Sequence, residues 1–339
     1  MEVRDISQVA AARREVTQLA GRLGFNEADQ GRVALVVTEL ATNLVKHAGG
    51  GIILAAESIP VDTPYIDCAS LDKGPGFGDL EKCLADGFST AGSQGTGMGA
   101  LLRQSTLLDI YSQPAAGSVV FARLEQGRSP FMRTGVLPKL YQSNSASWAP
   151  LWGAVAVPYP GETLCGDGWH VRERTDGLIC LVADGLGHGT LAAEASYKAI
   201  ALFNQHYQGA PADILQRLHA GLRQTRGAAV AIVQVDRDAG LLRVASVGNI
   251  GGAVFSQNRM QRLLSHNGTV GHAVRKIQEV TYPATAPLTL VLSSDGIATS
   301  WSMDRYPGLL DRHPYTIASV LYRDHQRGTD DATVLVAKS

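Results

Sequence analysis

Acidic residues at four positions in the second half of the chain lie at the edges of predicted strands, and glycine is adjacent at three of these positions. Asp184 directly follows the run Leu178–Ala183 and precedes three glycines within five residues. The full set is Asp167, Asp184, Asp295 and the adjacent pair Asp330 and Asp331. Hard divalent cations prefer oxygen ligands, so strand-end carboxylates with a free backbone carbonyl beside them predict a site for two metal ions. An isolated Asp-Gly pair would also fit an ordinary strand-to-turn corner, so the hypothesis depends on the whole set.

A second group of polar residues lies in the first fifty positions. Glu39, Asn43 and His47 recur every four residues, which places them on one face of a predicted helix. A carboxamide one turn from a carboxylate suits a Mg²⁺-nucleotide, with Asn43 on the metal and Glu39 as a base or a residue that positions water. The same spacing also fits an ordinary solvated helix face. The nucleotide hypothesis therefore depends on the segments that follow.

Two glycine-rich segments follow in order. Asp72 ends the strand-like run Tyr65–Leu71 and can accept a hydrogen bond from an exocyclic amine, while Gly74 and Gly76 leave room for a base. The second segment opens a predicted helix, where successive backbone N–H groups form a site suited to phosphates. Its residues are Gly95, Thr96, Gly97 and Gly99. Three ordered motifs together predict a nucleotide site.

The acidic segments of the second half resemble the ordered motifs of a known enzyme family. These segments are Asp167-Gly, Asp184-Gly-Leu-Gly-His-Gly, Ser-Asp295-Gly and Asp330-Asp-Ala-Thr-Val. They look like the motifs of metal-dependent Ser/Thr phosphatases of the PPM type, in the bacterial SpoIIE-like branch. The resemblance spans roughly residues 147–339. It implies hydrolysis of phosphoserine or phosphothreonine by a metal-activated water.

This resemblance assigns roles to individual residues. Asp184 would bridge two Mn²⁺ or Mg²⁺ ions, with the carbonyl of Gly185 beside it. Apart from the resemblance, His188 could donate a proton to the leaving alcohol, but a histidine at this position more often simply caps or packs the glycine turn. The remaining metal ligands would be Asp167, Asp295 and Asp330, with Asp331 left open as the alternative last ligand. No arginine in this half stands out as a phosphate ligand.

Residues 1 to about 126 resemble the GHKL (Bergerat-fold) ATPases, in particular the short anti-sigma-factor serine kinases of the RsbT/RsbW type. The matching motifs are Glu39-Leu-Ala-Thr-Asn43-Leu-Val-Lys-His47-Ala for the N-box, Asp72-Lys-Gly-Pro-Gly76 for the first glycine box and Gly95-Thr-Gly-Met-Gly99 for the second. The resemblance implies ATP and Mg²⁺ as cofactors. It also implies that Asn43 coordinates Mg²⁺, that Glu39 is the catalytic base and that Asp72 binds adenine.

The elements that position these residues predict an α+β protein of two domains. We expect a Bergerat-type α/β sandwich over residues 1–126, a linker over 127–147 and an α-β-β-α sandwich of the PPM type over 148–339. Helices are predicted at Val9–Leu23, from Asn26 to about Ala48, at Ala100–Asp109, Thr190–Gln205 and Ala212–Arg223. Strands are predicted at Tyr65–Leu71, Gly117–Leu124, Trp152–Val157, Leu178–Ala183, Ala229–Val235, Leu241–Val247, Leu288–Ser293 and Thr333–Ala337.

Composition narrows the function classes. The 339 residues carry a net charge of −1 and no polybasic run, which gives no electrostatic basis for binding nucleic acid or an anionic membrane. The four cysteines lack metal-site spacing, and no apolar stretch approaches the ~20 residues of a membrane span. We therefore expect a cytoplasmic protein with neither nucleic acid nor membrane as a partner.

The two resemblances together predict a bifunctional regulator of a partner switch. One domain would phosphorylate a small STAS-type anti-anti-sigma or stressosome-like protein, and the other would remove that phosphate. A sigma factor is a further candidate partner, and short GHKL kinases often dimerise, so a homodimer is allowed. Two alternatives remain open: a phosphatase with a non-catalytic, ATP-sensing docking domain, or an anti-sigma kinase with a degenerate phosphatase domain.

Overall fold

The computed structural model describes residues 1–57, 63–78, 97–128, 141, 151–256, 259–285 and 287–338. The chain divides into two compact units, Met1–Ser143 and Asn144–Ser339. The predicted linker 127–147 lies mostly outside the described residues, so the domain boundaries stay predictions. No helix within the described ranges is both long enough and apolar enough to cross a membrane.

Among the described residues of the first unit, three helices form one layer. They are α1 (Ile6–Arg22), α2 (Glu27–Asn43) and α3 (Gly97–Gln104), and a π-helical turn, Leu44–Ala48, extends α2. The side chain of Asn26 caps α2 by accepting a hydrogen bond from the N–H of Asp29 at 2.9 Å, as its position in the sequence predicts. Gly49 ends the π-helical turn in the left-handed region at φ 73°, a conformation that glycine adopts without strain.

The other layer of the first unit is an antiparallel sheet in the order β1-β2-β3-β5-β4. Its strands are β1 (Glu2–Val3), β2 (Gly51–Glu57), β3 (Tyr65–Leu71), β4 (Leu107–Gln113) and β5 (Gly117–Glu125). Apolar side chains from α1, α2 and the facing side of the sheet, such as Val36, Leu40 and Ile66, form one buried core.

One predicted helix is wrong in its second half. Helix α3 ends at Gln104, and residues 107–109, predicted as helical, begin strand β4. The pairing of β4 with β5 along its whole length satisfies the backbone groups of this segment in the sheet. Tertiary pairing therefore overrides the local helical pattern, as it commonly does for short apolar runs.

The second unit contains two five-stranded antiparallel sheets. The first has the order β13-β10-β9-β8-β7 and the second the order β12-β11-β14-β15-β6. Their strands are β6 (Leu151–Val157), β7 (Asp167–Arg174), β8 (Gly177–Gly185), β9 (Ala228–Asp236), β10 (Leu241–Val247), β11 (Gly251–Ser256), β12 (Arg259–Arg262), β13 (Glu279–Pro283), β14 (Leu288–Ser293) and β15 (Ala332–Lys338). Buried side chains from both sheets, including Val182 and Leu335, meet in a shared core.

Helices cover the outer faces of both sheets. The helices α4 (Thr190–His206) and α5 (Pro211–Gly221) pack on the first sheet, where Phe203 and Leu215 join a second core with Leu181 and Ile232. Helix α6 (Pro314–His325) lies against β6 and β15 of the second sheet. The layers therefore run helix, sheet, sheet, helix, and the predicted α+β fold class is confirmed.

Candidate functional site

The first sheet brings two of the predicted metal ligands side by side. Asp167 begins β7, Asp184 lies near the end of β8, and the two residues are direct partners in the antiparallel register. Directly opposite residues point to the same face of a sheet, with Cβ atoms about 4.5–5.5 Å apart. Asp167 is only 3% exposed, whereas Asp184 is partly exposed. The sequence placed both residues near strand ends but could not give this pairing.

The second sheet contributes the other acidic residues at the same place. Asp295 follows the end of β14, and Asp330 precedes the start of the neighbouring strand β15. Between them, Ser294 donates a hydrogen bond from its Oγ to Oδ2 of Asp167 at 2.6 Å. This bond crosses from one sheet to the other and ties the two acidic groups together. Asn249 also contacts the cluster, because its Nδ2 donates to Oδ2 of Asp295 at 2.6 Å.

The carboxylates of this cluster act strongly on one another. Burial, followed by the charges of Asp167, Asp295, Asp330 and Asp331, raises the pKa of Asp184 to about 9. Burial is also the main cause that raises the pKa of Asp167 to about 7, against hydrogen bonding by Ser294. The pKa of Asp295 is raised too, first by burial and then by Asp330. Such mutual repulsion is the electrostatic environment in which a divalent cation is stabilising.

Asp331 has a structural function within this cluster. It is 2% exposed, and its Oδ1 accepts a hydrogen bond from the backbone N–H of Tyr159 at 2.9 Å. Its Oδ2 lies against Gly166, where an added Cβ would stand 2.5 Å away. The neighbouring Asp330 is half-buried and accepts the N–H of Asp331. Asp331 therefore fixes the segment that leads into β7, and Asp330 keeps more access to solvent.

The donor set of the cluster fits hard divalent cations. All its ligand atoms are oxygens, and the strand-end position of Gly185 leaves its carbonyl next to Asp184. Within the described ranges, no three His, Cys, Asp or Glu side chains are grouped tightly enough to hold an ion by themselves. Each cation would thus need water or a backbone carbonyl in addition to carboxylates, as hard cations commonly do.

The glycine turn after Asp184 holds His188 between two neighbours. Nδ1 of His188 lies 3.2 Å from Oε1 of Glu162, and the imidazole ring stacks on Tyr159 with ring centroids 4.3 Å apart. Gly189 has φ 74°, and a Cβ there would lie 3.0 Å from the Glu162 carboxylate. The turn needs glycine at this position for both reasons. His188 therefore has a carboxylate beside Nδ1, an arrangement that fixes the orientation of the ring.

Arginines of this unit differ in their distance from the glycine turn. Arg172 bonds the side chain of Asn204, and Arg174 bonds Asp176 and the carbonyl of Tyr207. Arg226 instead lines a cavity beside the turn, together with Glu162, Gly187, His188, Gly189, Thr190 and Leu191. An added Cβ at Gly187 would lie 3.1 Å from a terminal nitrogen of Arg226.

The first unit brings the predicted N-box to both glycine boxes. Glu39, in the last turns of α2, points at the start of α3, because a Cβ on Gly97 would lie 2.6 Å from its Oε2. Gly99 is buried in the first turn of α3. Gly95 and Thr96 lie outside the described residues. Glu39 thus lies where the segment predicted to bind phosphate begins its helix.

Asp72 is held by backbone donors at the end of β3. Its Oδ1 accepts the N–H of Gly74 at 2.8 Å and the N–H of Ser118 at 3.2 Å. A Cβ on Gly74 would lie 2.8 Å from Ala48, at the end of the π-helical turn. Gly76 adopts φ 73° and leaves no space for a Cβ beside the carbonyl of Gln113. The first glycine box therefore packs directly against the end of the N-box.

The end of the N-box is a π-helical turn rather than regular α-helix. Asn43 is the last residue of α2 and is half-buried, while His47 lies in the turn and is exposed. A π-helical segment changes the angular step between residues, so the predicted spacing of four holds from Glu39 to Asn43 but not onward to His47. Such segments are frequent at functional sites.

These sites define a chain in which a GHKL-like nucleotide-binding fold precedes an α-β-β-α sandwich with an acidic centre. Residues 3–123 match the family model of the histidine kinase-like ATPase domain, and residues 174–339 match that of stage II sporulation protein E, SpoIIE. The chain belongs to the histidine kinase-like ATPase family through its first unit, and its second unit is similar to SpoIIE over residues 174–339, just under half of the chain. Both family predictions are confirmed.

Two relatives from Bacillus subtilis (strain 168) match different parts of the chain. The serine/threonine-protein kinase RsbT is 35% identical over 104 residues, which are 31% of this chain and 76% of RsbT. The phosphoserine phosphatase RsbX is 32% identical over 90 residues, which are 26% of this chain and 45% of RsbX. The chain thus spans less than half the length of RsbX in this match.

Solved structures resemble the chain over a little more than half its length. One, described as "The bacterial stressosome: a modular system that has been adapted to control secondary messenger signaling", is 28% identical with a TM-score of 0.53 and covers 56% of this chain and 100% of its own. The structure of RsbX in complex with magnesium is 22% identical with a TM-score of 0.50 and covers 55% of this chain and 92% of its own. The similarity to the RsbX structure shows a shared fold and nothing more.

Several residues that shape the second site give no signal in the sequence. Tyr159 and Glu162 lie in a loop without a motif, and Arg226 stands forty-two positions after Asp184 (226 − 184). Ser294 is the exception, because it directly precedes Asp295 in the segment Ser-Asp-Gly. Its position could have suggested a hydroxyl donor beside the carboxylates.

Proposed function

We propose that the chain is a bifunctional regulator, in which the first unit phosphorylates a serine or threonine of a partner protein and the second removes that phosphate. The observation that best supports this proposal is the meeting of carboxylates from two sheets around Asp184, whose pKa is raised to about 9 by burial and by its acidic neighbours. A fold that only needed stability would not gather uncompensated carboxylates in this way.

In the second unit, the proposed ligands are Asp184, the Gly185 carbonyl, Asp295 and Asp330, with Asp167 completing the set. When bound, two Mn²⁺ or Mg²⁺ ions supply a water of lowered pKa and neutralise phosphoryl oxygens. Ser294 holds the Asp167 carboxylate by its hydrogen bond at 2.6 Å. Asp331 holds the loop of Tyr159 through its Oδ1 and stays the alternative to Asp330 as the last ligand. His188, held by Glu162, gives a proton to the leaving serine or threonine oxygen.

In the first unit, ATP and Mg²⁺ are the proposed ligands. Asp72 accepts a hydrogen bond from the adenine amine, and Asn43 supplies an oxygen for Mg²⁺. Glu39 accepts the proton of the attacking hydroxyl, and the N–H groups at the start of α3 receive phosphate oxygens, Gly97 and Gly99 among them. Gly95, Thr96 and His47 stay predictions as further parts of this site. Catalysis then depends mainly on positioning and charge.

The proposed partner is a small STAS-type protein of a stressosome-like partner switch. The support comes from the two relatives, a kinase and a phosphoserine phosphatase, and from the likeness to the stressosome structure. A single chain with both activities would add a phosphate to the partner protein and remove the same phosphate. A sigma factor as partner, a homodimer and the cytoplasmic location remain predictions from the sequence.

Two assays on the purified full chain test the two activities. With Mn²⁺, we expect turnover of p-nitrophenyl phosphate and of a phosphoserine peptide, and Asp184→Asn should lower both by about a hundredfold or more because it removes the bridging ligand. The matched control is Asp238→Asn, an exposed aspartate in the β9–β10 turn. Loss of activity in the control, or full activity in Asp184→Asn, would disprove the phosphatase assignment.

The kinase activity is tested by transfer of label from radiolabelled ATP to a purified STAS-type protein. Glu39→Gln should abolish transfer but leave ATP binding, and the exposed Glu15→Gln on α1 serves as control. ATP binding without transfer by the wild type would instead favour a nucleotide-sensing docking domain. Transfer without any Mn²⁺-dependent phosphatase activity would favour a kinase with a degenerate phosphatase domain.

A further inference from the structure

The cavity beside the glycine turn is too large for a phosphoryl group alone. It is open to solvent and has a volume of about 420 Å³, which is in the size range of sites that hold more than a phosphoryl group. It lies next to the acidic centre, because Gly187, His188 and Gly189 of its wall follow Asp184 by three to five residues. A group bound there would be continuous with a phosphate held at the acidic centre.

The two charged side chains in the cavity wall, Glu162 and Arg226, differ in whether they have a partner. The carboxylate of Glu162 already has a partner, because Nδ1 of His188 lies 3.2 Å from its Oε1. The guanidinium of Arg226 is exposed, and no carboxylate among the described residues forms an ion pair with it. Arg226 approaches the backbone at Gly187 instead. The cavity thus offers a ligand a guanidinium that has no ion-pair partner among the described residues.

Two exposed apolar side chains belong to this cavity wall or stand next to it in the sequence. Leu186 is 53% exposed and Leu191, part of the cavity wall, is 49% exposed. Exposed leucines are common singly, but two of them five residues apart, one in the cavity wall and one directly before Gly187 of that wall, provide apolar surface for a polypeptide. A free inorganic anion would form no apolar contact with these leucines.

We propose that this cavity binds the segment of the phosphorylated protein that flanks the phosphoresidue, and that Arg226 pairs with an acidic side chain in that segment. This assignment rests on the proposed phosphatase function. It makes Arg226 a specificity-determining residue, whose contribution depends on the sequence around the phosphate and not on the phosphate alone. Charge complementarity between the free guanidinium and a carboxylate selects the occupant.

The test uses phosphoserine peptides with alanine at three positions on either side, and variants in which one alanine is replaced by aspartate. For the wild-type chain with Mn²⁺, we expect aspartate at one of these positions to raise kcat/KM about fivefold over the all-alanine peptide, the size of a partly exposed ion pair. Arg226→Gln should remove this preference. Because both peptides are compared on one enzyme preparation, a general change in activity cancels from the ratio.

Charge reversal and a matched control complete the experiment. Arg226→Glu should prefer lysine to aspartate at the same position. Arg223→Gln removes another exposed arginine three residues earlier, outside the cavity wall, and should keep the aspartate preference.

Turnover of the peptides without any aspartate preference, or a preference that survives in Arg226→Gln, would overturn the role of Arg226 and leave the phosphatase assignment intact. If the wild type hydrolyses neither the peptides nor p-nitrophenyl phosphate, the phosphatase assignment falls and takes this inference with it.

Discussion

Gly97 shows how a single missing Cβ positions a reactive side chain. An alanine at this position would bring its Cβ to 2.6 Å from Oε2 of Glu39, well inside van der Waals contact. The obstructing atom is the end of a flexible side chain, so Glu39 would turn away while the backbone stays in place. We expect Gly97→Ala to lower phosphoryl transfer at least about tenfold, a loss typical of a displaced general base.

The stability of this variant separates a local effect from unfolding. Alanine is favoured over glycine in helices by about 1 kcal/mol, and Gly97 is the first residue of α3, so the midpoint of thermal unfolding should not fall. Gly78→Ala is the control, because nothing lies within 4 Å of its added Cβ. Unchanged transfer in Gly97→Ala would show that Glu39 does not need its present position.

At the same scale, the sequence predicted residue types better than residue partners. The order of acidic motifs pointed to Asp167 and Asp184 because each lies beside glycine near a strand end. It did not separate Asp330 from Asp331, since adjacent residues share every sequence signal. The structure gives the two residues different surroundings, because the N–H of Tyr159, 172 positions away in the chain, bonds Asp331. Which of the two holds a cation stays a prediction.

Among the secondary-structure elements, β7 carries a buried histidine that couples stability to pH. His170 is 8% exposed and meets Phe203 of α4 edge to face, with ring centroids 6.1 Å apart. Burial, and then the charge of Arg172, lowers the pKa of His170 below its usual 6.5. The unfolded chain then takes up a proton more readily than the folded one. Stability is therefore full above pH 6.5 and falls as the pH drops below that value.

We expect His170→Gln to reduce this dependence, because glutamine stays uncharged at every pH. The measurement is the change in the unfolding midpoint of the second unit between pH 7.5 and pH 5.5, which should be smaller in the variant than in the wild type. His206→Gln, at the end of α4, is the matched control. An equal change in variant and wild type would mean that His170 is not the group that titrates.

Elements with a strong pattern could be predicted from the sequence, and those without one could not. The strand predicted at Leu178–Ala183 lies within β8, and the helix predicted at Thr190–Gln205 is α4 with one residue added. Strand β7 was not predicted, because Asp-Gly-Trp-His-Val-Arg-Glu-Arg has no apolar run. Helix α6 was not predicted either, because its β-branched and aromatic residues are equally suited to a strand. Packing against β6 and β15 decides its structure.

At the scale of the whole molecule, the two units have separate cores and separate candidate ligands. A ligand stabilises only the unit that binds it, by RT ln(1 + [L]/Kd), or about 2.7 kcal/mol at a hundredfold excess over Kd. For a unit of this size that corresponds to a rise of roughly 5–10 °C in its unfolding midpoint. We expect Mn²⁺ to shift the transition of the second unit and MgATP that of the first.

Variants assign each shift to its site without relying on catalysis. Asp184→Asn should remove the shift with Mn²⁺ and keep the shift with MgATP, because it disrupts only the acidic cluster. Asn43→Ala should do the reverse, because it removes the proposed Mg²⁺ ligand of the first unit. Differential scanning calorimetry of the full chain resolves the two transitions. If one ligand moved both transitions by the same amount in the wild type, the two sites would be coupled, and a kinase and a phosphatase that act independently on one partner would be the wrong description.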